Sequence, residues 1–483
     1  MKNYKMWIDG KWVDADSGKT FTVVNPATEE EIAEVPLGGK TDVDKAVAAA
    51  KKAFPIWSRL PQTERSQVTS KIAAAIQEHA EELIELDTLD HGSPRFAAAW
   101  MVSWAIHNFK WAASASKAMT GDLLQQIDPG RKIILQREPI GVSALITPWN
   151  VPLVAFAAKL GASMAVGNTC VVKPPSIDAL SSMRLAEILD KLDIPTGVVN
   201  IITGPGSSVG EALASHPDVG LISFTGSCEV GKRIMELGSQ TMKRLQLELG
   251  GKNPVLVLED ANVDTAVAMM LMMQYENVGQ TCASPGRYYL HEKVHDEFIE
   301  KFVAGAKKIV VGDPKDEKTQ MGPLASAEQR DRVEGYIKSG IAEGAKLVIG
   351  GTRPTEPPLD KGYFLMPTVF TGIKQKMTIG REEIFGPVAC FMEPFTSEDE
   401  AIEMVNDSSL GLTSYVWTGD TARGIRIADR ICAGTVNINK GGPPGPETPW
   451  TGFKESGLGI EGTDKYGLEA FTQLKHISVD LNP

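Results

Sequence analysis

Leu245-Gln246-Leu247-Glu248-Leu249-Gly250-Gly251-Lys252 places an acid inside an apolar strand that ends on a double glycine. The stretch stands at a junction. Before it, apolar runs of strand length at 141–146, 170–173, 198–203, 220–225 and 244–249 alternate with helical runs at 153–164, 179–192, 208–215 and 230–240. Such a succession argues a Rossmann-like, doubly wound, mostly parallel sheet. After Gly251 a second α/β unit begins, with strands at 255–258 and 287–291 and helices at 294–309 and 328–343. Glu248 therefore falls at the C-terminal edge of a sheet, where open α/β proteins gather their chemistry.

Downstream, 263–274 is apolar, rich in Met and long enough for a buried helix. It leads into Asn277-Val278-Gly279-Gln280-Thr281-Cys282-Ala283, which puts the Cys282 thiol on a loop at an element end. A loop thiol facing a strand-end carboxylate is the start of a nucleophile-and-base site. Each residue alone has a structural reading. A free Cys commonly packs as a small hydrophobe, and Glu248 suits one half of an ion pair with Lys252.

The 483 residues suffice for two or more domains, and 42% apolar with 23% charged residues is ordinary for a globular chain. A net charge of −12 without a basic stripe excludes a nucleic-acid surface. Cys170, Cys228, Cys282, Cys390 and Cys432 form no CxxC and stand beside no His cluster, so neither a metal site nor a disulfide framework is expected. Without an apolar leader or a membrane-length run, no membrane partner is expected, and the expected location is cytoplasmic.

Nearer the N-terminus, short strands are expected within 6–24 and a helix over 41–54 capped at Thr41-Asp42. One helix or a pair follows over 63–90, then a helical stretch over 96–119. Trp100, Trp104 and Trp111 have near-helical spacing and read as packing. Extended strands are expected at 130–138 and 474–481, and 350–358 reads as a surface loop.

The two quoted motifs, with the spacing between them, resemble the aldehyde dehydrogenase superfamily. In that family the Cys of Gly-Gln-x-Cys is the nucleophile and the Glu of Glu-Leu-Gly-Gly-Lys is the base. Further matches follow in the family's order. Ile146-Thr147-Pro148-Trp149-Asn150 ends a strand, and the resemblance makes Asn150 the donor to the aldehyde oxygen and Ile146, Thr147 and Trp149 neighbours of the cofactor. Gly204–Gly210 imitates a dinucleotide fingerprint with one residue too many. Phe224-Thr225-Gly226-Ser227 matches the family's pyrophosphate loop better, with Gly226 and Ser227 opening a helix. Lys173 resembles the ribose ligand. Glu383 and Phe385, in Glu382-Glu383-Ile384-Phe385-Gly386-Pro387, resemble the nicotinamide-ribose motif. Lys159 and Glu461 resemble proton-relay partners.

By the same resemblance Val151, Val154, Ala155, Ala158, Thr281 and Trp450 line the aldehyde tunnel. The small side chains among them predict room for bulky or aromatic aldehydes, and Lys440 reads as a solvated surface charge. The closing signature departs from the family twice: Trp450-Thr451 replaces Phe-Gly, and Ile460 replaces Arg.

The resemblance implies a dinucleotide-binding domain over 1–120 and 140–250, a catalytic domain over 251–447, and a small β extension for oligomerisation over 121–139 and 465–483. A homodimer or homotetramer is expected. The cofactor is expected to be NADP and/or NAD. Ser176 stands where NAD-preferring relatives carry a Glu that repels a 2′-phosphate, while Asp178 reads as the N-cap of the next helix. The expected reaction is oxidation of an aldehyde to an acid. The alternatives are a CoA-acylating enzyme, which needs no base at Glu248, a thiol esterase, which leaves the nucleotide loops unexplained, and a non-catalytic dinucleotide-binding protein on the same fold.

Overall fold

The computed structural model describes residues 1–124, 130–442 and 445–481. Residues 125–129 and 482–483 of the expected extension, and 443–444 of the expected catalytic domain, lie outside the described residues.

An eight-stranded sheet runs in the order Gly457–Leu458, Arg244–Glu248, Val219–Thr225, Val142–Ile146, Thr169–Lys173, Val199–Ile201, Met6–Ile8 and Lys11–Val13. Its five central strands are parallel, and antiparallel strands close both edges. The chain reverses its direction of travel between Val142–Ile146 and Val219–Thr225, which leaves a crevice beyond their C-terminal ends. Both faces of these strands are covered. Leu145, Cys170 and Val172 join one core with the helix Pro152–Ala165, while Val142, Ala144, Ile146 and Val171 join another. Burial on two sides explains why these strands are apolar without alternation.

A seven-stranded sheet follows in the order Lys346–Ile349, Thr368–Ile373, Val388–Met392, Pro285–Leu290, Asn253–Val257, Thr413–Trp417 and Thr435–Ile438. It is parallel except at the Lys346–Ile349 edge. A stacked pair, Tyr288 and Phe391 with centroids 4.5 Å apart, packs with Phe298 and Phe302 in its core. A third, antiparallel sheet pairs Thr472–Asp480 with Arg131–Pro139, and Arg131–Pro139 with Asp122–Leu124. It leaves Leu123, Ile134, Leu474 and Val479 exposed. Among the described residues no helix is long and apolar enough to cross a membrane.

Three local expectations change, and the choice between one helix and a pair over 63–90 is resolved. The first helix spans Lys40–Trp57, and its start is held by Asp42, whose carboxylate accepts from Gly39 N at 3.0 Å; Thr41 is not the cap. Residues 63–90 form two helices, Gln62–Glu78 and Ala80–Asp90. The stretch expected to be helical at 208–215 begins as a π-helical turn, Gly206–Gly210, before the short helix Glu211–Ser215. Asp178 does not cap its helix. Its backbone is left-handed (φ 63°) and its carboxylate turns to His91, while Asp90 Oδ2 takes the Leu180 N–H at 2.7 Å.

Arg287 shows how the second sheet is tied to its surroundings. Its guanidinium is buried without a carboxylate partner among the described residues, and donates to Lys252 O and Val405 O, both at 3.0 Å, and to the Tyr289 hydroxyl. Arg287→Leu strips donors from buried carbonyls, so a loss of about 3 kcal/mol is expected. A urea midpoint unchanged from wild type would contradict this.

Candidate active site

The C-terminal end of the eight-stranded sheet and the N-terminal ends of strands in the seven-stranded sheet face one cavity of about 560 Å³. The helix Val263–Tyr275 delivers the chain to its floor. There Asn277 (φ 50°), Val278 (φ 59°) and Gly279 (φ 72°) are left-handed in succession. Such a turn costs on the order of 1–3 kcal/mol for each non-glycine residue. A Cβ on Gly279 would meet Gly386 O at 2.2 Å, so only glycine fits there. The turn is held by hydrogen bonds. Asn277 Nδ2 donates to Asn150 O at 2.8 Å and to Gln280 O at 3.2 Å, and Gln280 Nε2 donates back to Asn277 O at 3.1 Å. Beyond it, Asn253 Nδ2 donates to Cys282 O at 2.6 Å, and the Tyr415 hydroxyl donates to Ala283 O at 2.6 Å. Cys282 is thereby fixed, half-buried, at the cavity wall.

Glu248 ends its strand beside the thiol, buried, and has no ion pair with Lys252. Burial, with the negative charge of Glu461 behind it, pushes the Glu248 carboxyl up to about 8. The Trp450 indole N–H opposes this by donating to Glu248 Oε1 at 3.1 Å. Trp450 thus does more than line a tunnel. Burial and the Glu248 charge also raise the Cys282 thiol well above its ordinary value. Asn150 sits beside both loops, with Nδ2 donating to Gln280 O at 2.9 Å. Lys159 lies behind the cavity wall, bonded to Glu461 at 2.6 Å and to the Ser223 hydroxyl at 3.1 Å.

The cavity continues past Ile146, Thr147 and Trp149 to Lys173, Ser176, Gly226 and Ser227. Lys173 is buried, its ammonium donates to Pro174 O at 2.8 Å, and no ion-pair partner stands near it among the described residues. Burial lowers it to about 8. A buried cation without a carboxylate suits a ligand bearing ribose or phosphate oxygens. Ser227 caps the helix Cys228–Ser239, whose N-terminal dipole opens on the same space. Ser176 is exposed at the mouth. Glu383, held up at about 7 by burial, accepts from Gly251 N at 2.9 Å and presses on Gly250 so closely that a Cβ there would lie 2.3 Å from its oxygen. Phe385 meets Trp149 edge-on, with centroids 5.3 Å apart.

The cavity therefore gathers the expected site residues from both sheets, with Lys159 just behind them. Val151, Val154, Ala155, Ala158 and Thr281 line its inner part, whereas Lys440 is exposed and outside it. Two tryptophans read as packing are cavity lining: Trp100 and Trp104, with centroids 5.1 Å apart on the helix Arg95–Ser116. Their spacing of four was the available signal. Glu276 was missed. An acid directly after an apolar helix and before the Cys282 loop marks it, and burial raises its carboxyl.

A family model described as the aldehyde dehydrogenase family matches residues 12–477. The chain belongs to that family. It is an enzyme of the NAD(P)-linked aldehyde dehydrogenase type. It is 40% identical over 480 residues to a betaine aldehyde dehydrogenase of Bacillus subtilis, covering 99% of this chain and 98% of that protein. It is 37% identical to a chloroplastic aminoaldehyde dehydrogenase of Arabidopsis thaliana, covering 99% of this chain and 96% of that one. In structure it is similar, with a TM-score of 0.97 and 36% identity, to the betaine aldehyde dehydrogenase of Staphylococcus aureus crystallised with NAD+, over 99% of this chain and 95% of that one.

The raised thiol predicts slow alkylation of this aldehyde dehydrogenase at Cys282 at pH 7, still climbing as pH passes the ordinary thiol range. Glu248→Gln removes the adjacent charge and should speed labelling at pH 9 severalfold. Peptide-resolved mass spectrometry separates Cys282 from the accessible Cys228 and Cys432; equal rates in both proteins would contradict the coupling.

Proposed function

We propose that the enzyme oxidises an aldehyde to its carboxylic acid with Cys282 as nucleophile and Glu248 as base. The observation that carries this reading is the meeting of the Glu248 carboxyl, the Cys282 thiol and the Asn150 amide at one cavity wall. Ionised Glu248 takes the thiol proton as Sγ bonds the carbonyl carbon, and the carbonyl oxygen gains the negative charge. Asn150 Nδ2 and the Cys282 N–H donate to that oxygen, each contributing about 3–4 kcal/mol in the transition state. NAD(P)+, when bound, accepts the hydride. Glu248 then deprotonates a water that attacks the Cys282 thioester, and the thiolate leaves with the acid released. The Glu461–Lys159 pair carries the proton away from Glu248. A CoA-acylating reaction gives Glu248 no such task. With its carboxyl at about 8, Glu248 is mostly protonated at pH 7, so turnover rises with pH through that value. Cys282→Ala should abolish oxidation, and Glu248→Gln should give one burst of NAD(P)H and then stall as acyl-enzyme. Rapid-quench traces decide it; steady turnover near wild type in the Gln variant removes Glu248 from the role.

The dinucleotide lies along Lys173, Gly226, Ser227, Glu383 and Phe385. NADP is accepted at least comparably with NAD, because Ser176 presents no charge to a 2′-phosphate. Asp178 faces His91 and does not restore the repulsion. Ser176→Glu should shift the NAD/NADP ratio of kcat/KM toward NAD by about tenfold, or ~1.4 kcal/mol. An unchanged ratio would show that Ser176 is not the discriminator.

The substrate is a bulky aldehyde with a cationic tail. Trp100, Trp104 and Trp450 supply ring faces, and the Glu276 carboxyl, with no bonded partner among the described residues, supplies the charge. Glu276→Gln should raise KM about tenfold for an ammonium aldehyde and leave that for benzaldehyde unchanged; equal effects on both would reject the pairing.

Residues 1–120 with 140–250 form the cofactor domain and 251–447 the catalytic one. The exposed apolar face of the third sheet supports assembly through 121–139 and 465–483 into a homodimer or homotetramer. Five free thiols fit the cytoplasm.

A further inference from the structure

Behind the cavity, Asp87, Asp90, His91 and Asp178 are buried together. None of them takes part in the reaction as written, yet one hydrogen bond connects them to it. His91 Nε2 lies 2.7 Å from Asn277 Oδ1, and His91 Nδ1 lies 3.1 Å from Asp178 Oδ2. The Asn277 amide cannot be turned over, because its nitrogen already donates to Asn150 O and Gln280 O. Its oxygen must therefore accept, so His91 Nε2 must carry a hydrogen. The other ring nitrogen faces a carboxylate and carries one too. We propose that His91, held as an imidazolium by Asp178, is a positioning residue that locks the Asn277 amide and through it the Asn150 and Cys282 loops.

The surroundings agree with that charge. Asp87 and Asp90 face the imidazole from the preceding helix and Asp178 from the loop before Leu180; Ser93 and the tilted Trp149 ring, 6.4 Å away, complete the shell. Burial pulls the imidazole down, but the Asp178 carboxylate outweighs it and lifts His91 to about 9. Burial, with the neighbouring Asp178 charge, pushes Asp87 up to about 7 and Asp90 well above its usual range. The cluster is thus an imidazolium–carboxylate pair beside two carboxyls that resist ionisation. Neutral His91 would keep its hydrogen on Nδ1, toward the Asp178 charge. Its bare Nε2 would then oppose Asn277 Oδ1, and the amide would be released.

This inference rests on the roles proposed for Asn150 and Cys282, and its test separates the two. The NAD(P)H burst is measured with His91→Phe, which keeps a ring against Trp149 without either N–H, and with His91→Gln, which restores one amide donor. Asn277→Asp is the third variant, since it keeps an acceptor for His91 but loses both donations. Melting temperature and cofactor affinity are recorded for each. The expected result is a burst at least 100-fold slower in His91→Phe and Asn277→Asp, with KM and cofactor affinity within threefold of wild type. At least tenfold should be recovered in His91→Gln. A folded His91→Phe with a burst near wild type overturns the proposal, as does a folded His91→Gln as slow as His91→Phe. If His91→Phe does not fold, a fast Asn277→Asp overturns it, and a slow Asn277→Asp beside an active His91→Gln upholds it. Full oxidation by Cys282→Ala would instead remove the nucleophile reading.

Discussion

One side-chain amide joins the two halves of the site. Asn277 spends its two N–H groups on Asn150 O, beyond the strand Val142–Ile146, and on Gln280 O, ahead of the strand Pro285–Leu290. Asn150 follows a strand of one sheet and Cys282 precedes a strand of the other. Their relative position is therefore set by a left-handed turn that is costly by itself and is retained because these bonds over-determine it. Gly279, pressed against Gly386 O, and Asn253, holding Cys282 O, complete the clamp.

The cavity wall concentrates acids in a place poor in water. Glu248, Glu276, Glu383 and Glu461 face it, whereas Lys173 is confined to the cofactor end and Lys159 to the rear. Burial raises the Glu248, Glu276 and Glu383 carboxyls, and the Glu461 charge adds to the rise at Glu248. A Glu248 carboxyl near 8 and a Cys282 thiol higher still limit the negative charge buried at this wall.

The parallel architecture was legible because strands buried on both faces are unbroken apolar runs, two of which end on the chemically loaded residues Lys173 and Glu248. Cys282, Glu248 and Asn150 were legible through local motifs. What escaped depends on pairs far apart in sequence. Nothing near Asp178 announces His91, so a helix cap was the natural local reading. Nothing near Trp450 announces Glu248, and a residue read as steric lining proved to be a hydrogen-bond donor. Trp100 and Trp104 have a spacing that packing and lining share, and only the neighbouring elements distinguish the two.

The two edges of the eight-stranded sheet come from opposite ends of the sequence, Met6–Ile8 with Lys11–Val13 at one side and Gly457–Leu458 at the other. A ribosome emitting this chain can lay down the five central strands once Glu248 has emerged. The antiparallel cover on Arg244–Glu248, and the indole that holds the Glu248 carboxyl, follow some two hundred residues later. Until then the strand bearing Glu248 is an open edge, and edges of this kind invite pairing with other chains. Completion of the Glu248 carboxyl's environment is thus among the last events of synthesis, and a nascent chain carries the Cys282 thiol before Glu248 has its full surroundings.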